Sequence, residues 1–275
     1  MAGWARGERF SHRGDVPDSP GWSDEQKETV DRMRAELLKL STAVVDHLYW
    51  ETVPPAYDAV TLRGATHVWA FHNTFTDGPH FDASNPRCFG REYQVHDGAL
   101  GITNTSDLVT AWYNRFNDHD RTMLIGSSDK DTKLRVTLHH NVFQSIVQRA
   151  PLARVGQVHL YNNHFDTAAR NGYTHSYSVN ARAGVQVVAQ NNCWTLSSDR
   201  KASQLLSGDG TGAVAGSGNM VNGSVTDLVA AYNAANKKKI KPETNWRPTL
   251  SRGLESSAAG LPASLARSAG EGVLK

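Results

Sequence analysis

Residues 133–165 read KLRVTLHHNVFQSIVQRAPLARVGQVHLYNNHF, and two runs inside them carry the same pattern. RVTLHHNVF alternates along the chain and closes on an asparagine with an aromatic ring two positions later, and QVHLYNNHF does the same. Period-two alternation marks a strand whose side chains point to opposite faces. Outward along the chain, HVWAFHNTF, LVTAWYNRF and VQVVAQNNCW end alike. Aligning Asn73, Asn114, Asn141, Asn162 and Asn191 gives steps of 41, 27, 21 and 29 residues, and a weaker echo, GSGNMVNG, places Asn219 another 28 along. One supersecondary unit is repeated with loops of variable length. A short strand repeated at such intervals predicts a parallel β-solenoid, whose stacked coils line equivalent residues up in ladders. An antiparallel sandwich would show turns every 8 to 12 residues or so. Asparagine suits an interior turn because its amide bonds its neighbour's and tolerates left-handed backbone.

A solenoid open at its ends exposes core and strand edges, so it needs caps. From Ser23 the chain reads SDEQKETVDRMRAELLKLSTAVVDHLYW. Ser23 and Gln26 form a capping box, Asp24 and Glu25 suit the positive end of a helix dipole, and Val30, Met33, Leu37, Leu40, Val44 and Leu48 recur at helical spacing. This amphipathic helix is expected to cap the N-terminal end. TDLVAAYNAANKKK is expected to form a second, short helix started by Thr226, and the Ser-, Ala- and Gly-rich tail after Pro248 to run as a loosely packed arm. The chain then divides into an arm and capping helix over 1–50, a solenoid over 51–225, and a C-terminal helix and tail over 226–275.

The 275 residues are enough to bury a substantial core, and 39% hydrophobic with 20% charged residues is the composition of a globular protein. A formal net charge of +2 is too balanced for a generic nucleic-acid binder, and the basic run in KKKIKPE reads as a solvated loop. No apolar run reaches the ~18 residues of a membrane span. The opening MAGWARGERFSHRGD is polar where a secretory signal needs an apolar core, so either the protein stays inside or the exporting segment is missing from this chain. Cys88 and Cys193 match no metal spacing and read as buried or free thiols, with a disulfide left open.

Four segments carry a resemblance. THVWAFHNTFTDG, YQVHDGALGITNTSDLVTAWYNRFNDHDRTMLIGSSD, KLRVTLHHNVF and QRAPLARVGQVHLYNN resemble, in order, the signature segments of the pectate lyases, in the family that also holds the pectin lyases. The likeness is close over about residues 57–192 and weaker to about 272. It implies a right-handed parallel β-helix that cleaves polygalacturonate by β-elimination, extracellular and monomeric, acting on acidic plant cell-wall polysaccharide without a nucleic-acid or membrane partner. The reaction removes the C5 proton of a uronic acid. That proton becomes acidic only if the neighbouring carboxylate is neutralised and the developing enolate stabilised, which calls for cations at fixed positions.

In the family's R-x-P-x-x-R motif the first arginine is the proposed base and the second anchors a substrate carboxylate; by position these are Arg149 and Arg154. A guanidinium with a pKa above about 12 is an awkward base, so Arg149 acts either as a transiently neutral base or by electrostatics. Arg121 in DHDRTMLIG stands where the family has a lysine, keeping the charge but with a bulkier fork, and is expected to bind a carboxylate. The family's Ca²⁺ is held by carboxylates from two adjacent coils, and Asp58 and Asp97 hold matching positions. Gly101 stands where the second carboxylate of D-G-x-x-D belongs, and Ala56 where an acid often sits. Affinity follows ligand charge, so weak Ca²⁺ binding completed largely by substrate is expected.

Phe71 replaces a carboxylate of the family pattern, expected near the cleft. His72, His119, His139 and His140 match no zinc spacing and read as ladder or cleft histidines. Trp69, Trp112 and Tyr113 fall within strands and read as structural rather than sugar-stacking. Two other readings stay open: a Ca²⁺-independent, pectin lyase-like enzyme, and a degenerate β-helix that binds acidic polysaccharide without cutting it.

Overall fold

Each alternating run hydrogen-bonds in parallel to the equivalent run one coil further on, so pairing follows the repeat rather than hairpins. The computed structural model describes residues 58–84, 96–249 and 251–272, with the backbone alone of the short strands Arg87–Cys88 and Arg91–Glu92. The helix expected from Ser23, Ala56 and the Cys88 side chain lie outside the described residues. The chain divides into a unit of residues 1–57 and 79–96 and a unit of residues 58–78 and 97–275. Among its described residues the first holds a short helical turn, Asp82–Ser84, and an antiparallel pair, Arg87–Cys88 with Arg91–Glu92. The second unit is the solenoid.

Three faces make up its coils. The first sheet stacks Val60–Arg63, Gly98–Thr103, the end of Arg115–Ile125, Leu152–Arg154, Val179–Arg182 and Leu206–Gly208. The second stacks Trp69–Phe71, Val109–Trp112, Arg135–His139, Gln157–Tyr161, Gln186–Gln190 and Ala213–Ser217. The third stacks Thr74–Thr76, the start of Arg115–Ile125, Val142–Gln148, His164–Asp166, Cys193–Thr195 and Met220–Val221. Arg115–Ile125 pairs on both the third and the first face, joining them into one hydrogen-bonded network.

Coil stacking turns sequence repeats into ladders. Phe75, Phe116, Phe143, Phe165 and Trp194 stack with centroids 4.8, 4.9, 4.8 and 4.6 Å apart and planes within 8°. That spacing is the separation of hydrogen-bonded strands, about 4.7–4.9 Å, so backbone pairing and ring stacking reinforce each other. Leu100, Ile102, Met123, Ile125, Leu138, Leu160 and Val187 fill the interior beside them.

The asparagine ladder is also present, one residue away from the expected register at two rungs. Side-chain amides run Asn73 to Asn114, to Asn141, to Asn163, to Asn192, to Asn219, at 2.9, 3.0, 3.0, 2.9 and 3.1 Å. Each Nδ2 from Asn114 onward also donates to a carbonyl of the preceding coil, for example Asn141 to Ala111 at 2.9 Å. Asn162 and Asn191 are therefore not rungs. Each is the residue before a rung, with φ of 50° and 47°, and shares that left-handed backbone with His72, Tyr113 and His140. An L-residue there is uncommon, and asparagine is among those that tolerate it best. The signal was in the sequence: the aromatic two positions on is Phe165 from Asn163 and Trp194 from Asn192.

Outward side chains form ladders too. Phe71, Trp112, His139 and Tyr161 stack along the second sheet at 4.6, 5.8 and 4.7 Å, and His72, Tyr113 and His140 along the adjoining turn at 5.2 and 5.0 Å. Phe71 thus belongs to a structural row on the second sheet, not to the sheet that carries the candidate cations.

Helix α1, Leu228–Ala235, is N-capped by Asp227, whose carboxylate accepts from the Ala230 amide at 2.9 Å; Thr226, the expected start, lies one residue earlier. It buries Leu228, Val229 and Tyr232 in the solenoid core with Leu205, Leu206 and Ile240. Lys237, Lys238 and Lys239 are exposed around the buried Ile240. The tail is not a loose arm. Helix α2, Leu261–Ser268, buries Leu261 and Leu265 with Ala258 and Ala269 against Val142 and the free thiol Cys193, on the outside of the third sheet. Arg115 Nη2 donates to the Leu265, Ala266 and Ala269 carbonyls at 3.4, 3.2 and 3.3 Å, satisfying groups that a helix end leaves without partners.

Candidate functional site

The chemistry-bearing residues gather where the third sheet turns into the first. Gln148, the last residue of its strand, is in register with Arg121, and Gly98 pairs with Arg121 on its other side. Asp97 and Arg149 flank that row in sequence, so Asp97, Arg121 and Arg149 come from three successive coils. Arg121 Nη1 lies 3.6 Å from Asp97 Oδ1. Gln148 Nε2 donates to Asp120 Oδ1 at 2.9 Å, and the Tyr177 hydroxyl donates to Gln148 Oε1 at 3.1 Å, a chain of bonds along the row that sequence reading missed.

Arg149 occupies the turn between Val142–Gln148 and Leu152–Arg154, with φ of 60°. Its carbonyl accepts from the Met123 amide at 2.6 Å, and the next amide, Ala150, donates to the Ser178 carbonyl at 2.8 Å. Its backbone is thereby tied to coils on both sides. Arg154 ends the next strand, in register with Arg182, and its Nη1 lies 3.7 Å from Asp129. The Nε atoms of Arg149 and Arg154 are both buried with no hydrogen-bond acceptor among the described residues. Partly shielded guanidinium donors with a free N–H suit carboxylates.

Asp58 enters from the coil before. Its Oδ1 accepts from the Gly98 amide at 2.9 Å, and the Thr61 hydroxyl donates to Oδ2 at 3.4 Å. Burial, then the negative charge of Asp97, pushes the Asp58 carboxyl up, against the lowering effect of the Gly98 and Thr61 bonds and of His119. Gly101 makes this seat possible. A Cβ built there would stand 2.1 Å from Asp58 Oδ2. A side chain at 101 and Asp58 in its present place exclude each other.

Two carboxylates that repel one another are a partial site for a hard cation. Among the described residues no group of three or more His, Cys, Asp and Glu gathers as a metal cage. Two aspartates are oxygen donors of the kind Ca²⁺ takes, but offer only part of the six to eight oxygens it needs. Of the flagged histidines, His72, His139 and His140 are in the outward rows. His119 instead lies against Asp97, its Nε2 3.1 Å from the Asp97 carbonyl.

With this geometry established, comparison with known proteins gives a consistent result. The family described as pectate lyase matches residues 45–269, and one described only as a domain of unknown function matches residues 1–65. The chain is 36% identical over 207 residues to a pectate lyase of Bacillus subtilis (strain 168), covering 74% of this chain and 48% of that protein. It is 32% identical over 243 residues to pectate lyase E of Dickeya chrysanthemi, covering 79% and 63%. Among solved structures it is similar to a thermostable pectate lyase, with a TM-score of 0.75 at 38% identity over 80% of this chain and 55% of that one. It is also similar to a pectate lyase bound to a hexasaccharide, with a TM-score of 0.72 at 34% identity over 80% and 54%. The chain spans about half the length of the Bacillus relative and of these structures.

Proposed function

Because the chain belongs to the pectate lyase family, we propose that it cleaves de-esterified homogalacturonan by β-elimination on a right-handed parallel β-helix, releasing unsaturated oligogalacturonides. The observation that carries this reading is the register row of Gly98, Arg121 and Gln148 on successive coils, which sets Asp97 and Arg149 to either side of Arg121, with Asp58 bonded to the Gly98 amide. Arg121 and Arg154 bind uronate carboxylates. Arg149, held by its backbone on both sides, faces the C5 proton, either taking it as a transiently neutral guanidine or stabilising the charge that develops as it leaves. The C5–H electrons become the C4–C5 double bond, the C4–O bond breaks, and the departing oxygen takes a proton from solvent.

Asp58 and Asp97 would hold Ca²⁺ weakly, together with substrate. When bound there, the ion neutralises a uronate carboxylate and so acidifies the adjacent C–H. The partner proposed is acidic plant cell-wall polysaccharide, met outside the cell by a monomer. No helix among the described residues is long and apolar enough to cross a membrane.

One observation favours a second reading. Arg121 lies within ion-pair distance of Asp97, placing a permanent cation beside a carboxylate that Ca²⁺ would otherwise neutralise. This supports an enzyme of reduced metal dependence, closer to a pectin lyase. Ultraviolet absorbance of unsaturated uronide ends separates the cases, with polygalacturonate or methyl-esterified pectin as substrate and with Ca²⁺ or chelator. The expected result is a Ca²⁺-stimulated rise on polygalacturonate that falls at least about a hundredfold in Arg149→Ala. A chelator-insensitive rise, greater on esterified pectin, supports the second reading. No rise on either substrate from folded protein leaves a polysaccharide binder.

A further inference from the structure

Against the Asp97 main chain lies a buried polar network that the proposed chemistry does not use. His119 stands in strand Arg115–Ile125, two positions before Arg121, and its side chain is only 5% exposed. Its Nδ1 meets Asp77 Oδ1, and its Nε2 lies 3.1 Å from the Asp97 carbonyl oxygen. The other Asp77 oxygen accepts the Tyr173 hydroxyl at 2.7 Å. Asp77 and Tyr173 are themselves buried. Asp77 follows the first coil's strand on the third sheet, Asp97 precedes the second coil's first-sheet strand, and Tyr173 comes from the loop before Val179–Arg182.

The bonding leaves the ring one orientation. A carbonyl oxygen only accepts, so Nε2 must carry a hydrogen toward Asp97. The proton between Nδ1 and Asp77 holds the opposite edge wherever along that bond it sits. Turning the ring over would set C–H groups against a carboxylate and a carbonyl, leaving buried acceptors unsatisfied. Two residues on, Arg121 reaches the carboxylate of the same Asp97 at 3.6 Å. One strand therefore contacts Asp97 at its carbonyl and at its side chain.

We infer that His119, locked by Asp77 and Tyr173, is a positioning residue that fixes the main chain at Asp97 and with it the direction of the Asp97 carboxylate. The inference rests on the reading of Asp97 as part of the lyase site. Groups bonded behind a ligand typically change metal affinity or activity by about 10–100-fold when removed. Tyr173→Phe deletes one bond to Asp77 at nearly constant shape. His119→Leu removes the donor to Asp97, and His119→Gln retains an amide that can reach the carbonyl.

Two measurements test it on the full chain: hydrogen exchange of peptides within residues 97–102, and the Ca²⁺ concentration giving half-maximal lyase rate. Faster exchange there is expected in Tyr173→Phe and His119→Leu, with partial return in His119→Gln. The Ca²⁺ requirement should rise about tenfold in Tyr173→Phe while the rate at saturating Ca²⁺ stays within about twofold. Unchanged exchange and an unchanged Ca²⁺ requirement in folded Tyr173→Phe and His119→Leu would overturn the inference. If the parent protein forms no unsaturated product, the functional reading fails alone, and the exchange comparison still decides the role of His119.

Discussion

At Gly101 the absence of a side chain has two effects that a sequence comparison sees as one. It removes a carboxylate, and it opens the space into which Asp58 leans, with Oδ2 2.1 Å from where a Cβ would stand. Gly101→Asp should therefore displace Asp58 from the Gly98 amide while adding a third carboxylate. Calorimetric titration is expected to show Ca²⁺ binding at least about tenfold tighter, since affinity follows ligand charge count. Unaltered affinity would mean that the displaced Asp58 leaves the site. The sequence shows a glycine where the resembled D-G-x-x-D pattern has a carboxylate, but not that Asp58 occupies the space beside it, because that residue arrives from 43 positions earlier. The paired asparagines teach a related lesson. Asn163 and Asn192 enter the ladder, whereas Asn162 accepts from the Glu255 amide at 2.8 Å and Asn191 donates to the Glu255 carbonyl at 2.6 Å. Adjacent identical residues took opposite tasks because the backbone turns between them.

Among the elements, helix α2 was the least expected. Its sequence is poor in large apolar residues, yet Leu261 and Leu265 stand four apart, on one helical face, and both are fully buried. Leu265→Ala should cost about 2–5 kcal/mol where the tail cannot collapse onto the lost volume. Urea unfolding followed by fluorescence would measure it. Loss of well under about 1 kcal/mol would show that the helix can detach without disturbing the solenoid. The strands were far more legible. Their alternation reports a buried face directly, and the recurrent Asn-x-aromatic ending reports the corner between sheets two and three. The bend in Arg115–Ile125 was not marked, since a strand serving two faces keeps no single alternation.

Across the molecule, several buried or bonded groups make stability depend on pH. Burial, then the nearby His140 and His159, holds His139 down to about 3, and burial chiefly holds His175 down to about 4. Both are neutral in the fold, while in the unfolded chain they protonate near 6.5. Their contribution is therefore complete above about pH 6.5 and is lost as pH falls toward 4 and 3. Hydrogen bonds from Arg135 hold Asp107 down to about 2, and bonds from Thr211 and Ala183 hold Asp209 down to about 2 despite burial. Their contribution is lost below the ordinary aspartate range. Asp58 and Asp118 are raised and act in the opposite sense. The Tm is expected to fall between pH 6.5 and 4. His139→Phe, which keeps a ring between Trp112 and Tyr161 without a titrating group, should flatten that fall. An equally steep profile in the variant would remove His139 from the account.

Read alone, the chain specifies a stacked parallel solenoid, its approximate coil lengths and the cationic motifs of its candidate chemistry, because period, turn and ladder signals recur locally with every coil. Folding decides the rest: how Asp58 fills the space beside Gly101, how the tail docks, and that His119 lies against Asp97 with Asp77 and Tyr173 behind it. These depend on contacts between coils, where residues tens of positions apart come within hydrogen-bond distance and no local pattern records which of them will meet.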